Sequence, residues 1–81
     1  MKMKVIEIYD EIKNNKQYDA VIICVNGSFI HIVLENIVYI EARPALPKAS
    51  RCTIIVEKKE NNEAKVKYYI PNHNVDYLYF E

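Results

Sequence analysis

Glycine is almost missing: Gly27 is the single one among 81 residues. A phosphate-cradling loop needs several glycines so that backbone N–H groups can close on an anion, and this chain cannot build one. Tryptophan is absent altogether. Cysteine occurs twice, as Cys24 and Cys52, each inside an apolar run where a thiol reads as a small buried hydrophobe. A disulfide between them would require neighbouring strands. The two histidines, His31 in an apolar run and His73 in a polar turn, share no metal-ligand spacing with either thiol. Neither Ser28 nor Ser50 lies in a Gly-x-Ser-x-Gly context, so no nucleophile elbow is present. Together these shortages make catalysis the least supported class. The expectation is a non-enzymatic protein with no cofactor and no metal.

Net charge is also lacking. Eleven basic residues balance eleven acidic ones, which argues against non-specific coating of nucleic acid but leaves a local basic patch open. Glu35 and Glu41 interrupt the longest apolar run before it reaches the about 18 residues of a membrane span. The opening MKMKVIEIYDEI has no uninterrupted apolar core of a secretory signal, so the expected location is the cytoplasm.

What the chain does have is apolar surface. Hydrophobic residues make up 51% of it, enough for a single small domain, residues 1–81, to bury a core. The richest stretch is 20–42, AVIICVNGSFIHIVLENIVYIEA, with Asn26-Gly27 between two apolar runs. A type I′ hairpin turn needs positive φ at both central residues, which is what Asn-Gly supplies. The register follows. Val25 pairs with Ser28, Ile23 with Ile30 and Val21 with Ile32 on one face; Cys24 pairs with Phe29, Ile22 with His31 and Ala20 with Val33 on the other. Both faces are largely apolar, so the ribbon must be covered twice. Sheet curvature or a second copy of the chain, as a homodimer, would do it.

Elsewhere the periodicity is clear. Val5, Ile8, Tyr9 and Ile12 form one helical stripe, predicting a helix of about three turns over 4–15, with a strand from Met3 as the alternative because Ile6 falls off the stripe. After a turn at 34–36, strands are expected over 37–42, 51–58 and 64–70, with a last strand over 75–80 preferred to a helical turn. Matching apolar faces pairs Val56 with Val66 and Ile54 with Tyr68, and sets Glu57 opposite Lys65. The expected fold is α+β: one N-terminal helix packed on a small, mostly antiparallel sheet of five to six strands.

Two surface features stand out. Residues 43–51, RPALPKASR, carry Arg43, Lys48 and Arg51 with no acid, two prolines that limit the entropy lost on ordering, and an apolar Leu46 between them. Arginine pairs bidentately with carboxylate or phosphate, so this loop is a candidate contact for an acidic protein surface, a nucleic-acid backbone or a nucleotide. Seven tyrosines are the other feature: Tyr39, Tyr68, Tyr69, Tyr77 and Tyr79 fall in the sheet half, and alternation puts some of them outside, Tyr69 among them. Tyrosine buries area at low rotamer cost and keeps a polar tip, which suits protein interfaces and base stacking alike.

LENIVYIEA at 34–42, preceded by VNGSFIHI, resembles the strand-and-turn signature of LytTR-type DNA-binding domains, all-β readers that contact major grooves from loops. The resemblance covers about a quarter of the chain. It implies a transcription-regulatory role, although the basic, asparagine-containing C-terminal segment of that family has no counterpart here. In layout, a short charged helix leading into a small sheet, the chain resembles compact phage-encoded anti-CRISPR inhibitors. Many of those mimic nucleic acid through acidity, so a neutral chain of this kind would act through shape and apolar contact. The first expectation is therefore a protein-interaction module, an inhibitor of a host defence factor, binding through Arg43, Leu46, Lys48, Arg51, Tyr39 and Tyr69. A LytTR-like nucleic-acid-binding domain and a nucleotide-sequestering oligomer are the alternatives.

Overall fold

The hairpin forms as its turn chemistry dictates. A computed structural model describes residues 6–44, 51–58 and 65–81. In it β1 (Ala20–Val25) and β2 (Ser28–Val33) pair antiparallel in the full six-pair register expected, from Val25–Ser28 to Ala20–Val33. Asn26 and Gly27 take φ of 51° and 86°, the two left-handed residues a type I′ turn requires. The carboxylate of Asp76 accepts the Gly27 N–H at 3.1 Å and ties the turn to the last strand.

The helix is shorter than its stripe suggested. α1 runs Ile8–Asn14, two turns rather than three, and begins at Glu7 with no side-chain cap. Lys4, Val5 and the alternative strand start at Met3 lie outside the described residues. Ile8 and Ile12 are buried as the stripe predicted. Ile6, off the stripe, is buried too, because it precedes the helix and so is not bound by the helical period when it joins the core cluster. Asn15 Nδ2 donates back to the Glu11 carbonyl at 2.8 Å and closes the helix.

The remaining strands are β3 (Ile37–Pro44), β4 (Arg51–Lys58), β5 (Lys65–Pro71) and β6 (Val75–Phe80), the last a strand as preferred. They do not form one sheet. Two antiparallel three-stranded sheets result, ordered β2-β1-β6 and β3-β4-β5. Three-residue 3-10 turns at Leu34–Asn36 and Asn72–Asn74 carry the chain from β2 to β3 and from β5 to β6. Within each sheet the pairs β1–β2, β3–β4 and β4–β5 follow chain order; β2 and β3, and β5 and β6, part into different sheets, and β6 returns to pair with β1. Folding the meander over at two corners answers the problem of the doubly apolar hairpin. Val21, Ile23 and Ile32 on its inner face meet Ile55 and Ile70 of the second sheet, with Ile8 and Ile12 of α1 joining the same cluster. At about 25 cal/mol per Å² of buried apolar area, such a shared core is the main stabilising contribution.

The β4–β5 register differs by one residue from the face-matching expectation. Val56 pairs with Lys67, Ile54 with Tyr69 and Ile55 with Tyr68; Glu57 pairs with Val66, and Lys65 lies opposite Lys58 instead of Glu57. A slip of one residue exchanges the faces of a strand. Matching apolar residues could not choose the right one, because β4 is buried on both faces across Thr53, Ile54, Ile55 and Val56. Packing against the first sheet selects Thr53 and Ile55, each fully buried, for the inside.

Candidate functional site

The slip decides what the outer face of the β3-β4-β5 sheet presents. Along β3 it carries Tyr39, Glu41 and Arg43; along central β4, Ile54 and Val56; along β5, Lys65, Lys67 and Tyr69. The β4 side chains are short and 5–6% exposed, whereas Tyr39 and Tyr69 are 52% and 61% exposed. Short residues between two rows of long ones leave a trough of about 480 Å³ running along the strands, with an aliphatic floor. A bulge in β3 between Ile37 and Tyr39 frees Val38, which is exposed beside the trough.

Polar contacts hold one wall. Tyr39 donates its hydroxyl to Glu41 Oε1 at 2.8 Å, and Arg43 donates from Nε and Nη2 to Glu41 Oε2 and Oε1 at 3.2 and 2.9 Å. The Arg43 hydrogen bonds, then that of Tyr39, hold the Glu41 carboxyl below its ordinary range. The same carboxylate pushes the Tyr39 phenol up, chiefly through the hydrogen bond. In Glu41→Gln the Tyr39 phenol is therefore expected to ionise at lower pH than in the parent chain. A tyrosine-resolved NMR titration reads this directly, and an unmoved Tyr39 would remove Glu41 as the cause.

Of the residues that sequence reasoning singled out, Tyr39, Arg43 and Tyr69 come together on this face. Arg51 does not join them. Its Nε reaches Glu7 Oε1 at 3.3 Å beside the helix. Leu46 and Lys48 lie outside the described residues, with the rest of 45–50. Sequence reasoning passed over Lys65, Lys67 and Lys58 as site residues. The alternation of 65–69 already turned Lys65 and Lys67 outward with Tyr69; Lys58 was hidden by the mistaken register.

The outer face of the other sheet is dominated by aromatic side chains, with the Asp76 carboxylate near the hairpin turn and Glu81 at the far end. Phe29, Tyr77 and Tyr79 are exposed, with Phe29–Tyr77 and Tyr77–Tyr79 centroids each 6.2 Å apart. Their rings flank Cys24 and Ile22 from both neighbouring strands, which leaves those two residues 6% and 4% exposed without another layer of protein. The rings are tilted at 47° and 70°, so they make a ridge and not a coplanar platform. His31 is exposed on this face, 3.6 Å from Glu81, and His73 is exposed in its turn. Cys24 and Cys52 are free thiols on different sheets. No helix among the described residues is long and apolar enough to cross a membrane. Comparison of the chain with family models, curated proteins and solved structures returns no match.

Proposed function

We propose that this protein is a non-catalytic protein-interaction module that binds its partner directly through the outer face of the β3-β4-β5 sheet. The observation that carries the reading is the pairing of two strongly exposed tyrosines with an aliphatic trough between them. Interfaces draw their binding energy from such anchors, large aromatic side chains beside pockets that can be fully desolvated. The layout likeness to phage-encoded inhibitors suggests the biological form of this activity, inhibition of a host defence factor by occupying a surface.

Tagged protein, used to capture partners from nuclease-treated host lysate, tests the reading when run beside Tyr39→Ala/Tyr69→Ala. Exposed substitutions of this kind change stability by about 0.5 kcal/mol or less, so the variant should stay folded by circular dichroism. The expected result is a stoichiometric protein retained by the parent chain and depleted at least tenfold by the variant. A partner held equally by both would move the interaction off this face. Loss of all signal on nuclease treatment would favour the nucleic-acid alternative.

A further inference from the structure

The lysines on this face are placed at a cost. Lys58 and Lys65 lie directly opposite each other on adjacent strands, and Lys67 follows two residues along β5 on the same face. Like charges in directly opposed cross-strand positions are destabilising, and sheets ordinarily pair them with acids. Glu57, one residue from Lys58, points the other way and accepts the Tyr68 hydroxyl at 2.9 Å. Among the described residues, no carboxylate lies within ion-pair distance of Lys58, Lys65 or Lys67. Arg43 and Glu41 neutralise each other at the opposite wall, so the trough has a cationic end and a neutral, aromatic end.

From this polarity we infer the chemistry of the partner, resting on the interaction face proposed above. The occupant is an extended, acidic protein segment. Its acids lie against Lys65 and Lys67, and its apolar side chain sits on Ile54 and Val56 between the two tyrosines. The trough follows the strands, and alternate residues of an extended chain repeat every about 6.5–7 Å, the same spacing that separates Lys65 from Lys67. The matching pattern in the partner is acid-x-acid-x-apolar. A nucleic-acid strand fits less well: its charge is uniform along its length, whereas the trough is cationic only at Lys65 and Lys67 and its other end, where Arg43 is paired with Glu41, is neutral.

Selection of a random 12-residue peptide display library on the full chain tests this. Enriched peptides are then synthesised, labelled and titrated against the parent chain, Lys65→Glu/Lys67→Glu and Tyr39→Ala/Tyr69→Ala, with labelled dT20 as the nucleic-acid probe. The expected result is enrichment of acid-x-acid-x-apolar peptides, with Kd raised at least tenfold in both variants. The lysine variant should also keep or raise its melting midpoint, because the carboxylate introduced in place of Lys65 would face Lys58 with opposite charge. Neutral or basic peptides that still need Tyr39 and Tyr69 would overturn the acidic partner and leave the face intact. Peptides indifferent to the tyrosines, or none enriched, would overturn both. Tighter binding of dT20 than of any peptide, lost in the lysine variant, would replace the protein segment by single-stranded nucleic acid.

Discussion

Ile55→Ala is expected to cost about 2–5 kcal/mol of unfolding free energy, the range for removing a buried isoleucine side chain from a packed core. Ile55 has no solvent exposure and stands on the central strand of its sheet, facing the cluster built from both sheets and the helix. Ile40 flanks it from β3 and Tyr68 from β5, so backbone pairing on both sides prevents the neighbours from collapsing into the space left. A domain of this length carries about 4–12 kcal/mol of total stability, so a single methyl-rich side chain accounts for a large share of it. Equilibrium urea unfolding followed by circular dichroism should show a lowered midpoint with an unchanged slope. Ile54→Ala, on the outer face, makes the comparison. Its neighbours are solvent-facing Glu41 and Tyr69, so a smaller loss is expected there, and equal losses would show that the core does not lie between the sheets.

The second large effect concerns the corner between β5 and β6. Asn72 is 5% exposed; its Nδ2 donates to the Ile6 carbonyl at 2.7 Å and its Oδ1 accepts from Thr53 Oγ1 at 3.1 Å. One amide therefore joins the segment before the helix, the central strand of the second sheet and the turn that leads back to the first. Asn72→Ala strands a buried carbonyl and a buried hydroxyl, each costing about 1–3 kcal/mol when left without a partner. The expected loss is about 2–4 kcal/mol. Thr53→Val in the same background should recover part of it, because removing both members of a buried polar pair costs less than removing one. A double-mutant cycle by urea unfolding measures the coupling, and additive losses would show that the Thr53–Asn72 bond contributes nothing.

The candidate site was legible only in pieces. Tyr69 is readable as exposed because its strand alternates cleanly; 37–42, IVYIEA, is apolar at consecutive positions, and the bulge between Ile37 and Tyr39 lies outside what such a pattern tells. Arg43 reads as loop through its neighbour Pro44, yet both are the end of β3, where an edge strand tolerates proline. Nearness in sequence groups Arg43 with Arg51, and the strands send them apart, Arg43 to Glu41 on the outer face and Arg51 to Glu7 by the helix. Linear proximity in a loop carries no information about which side of a sheet its two ends reach.

The hairpin register, the burial of Ile8 and Ile12 and the strand character of β4, β5 and β6 were all contained in local order. Each rests on an interaction between residues close in the chain: an Asn-Gly turn that admits one geometry, a period of 3.6, a period of two. The division into two sheets and the register of β4 against β5 were not. Both faces of β4 are apolar, so two registers satisfy its neighbours about equally, and the choice falls to whichever puts Thr53 and Ile55 against the core of the other sheet. That same choice turns Glu57 inward to Tyr68 and sets Lys58 opposite Lys65, so the charge of the outer face follows from packing on the inner one.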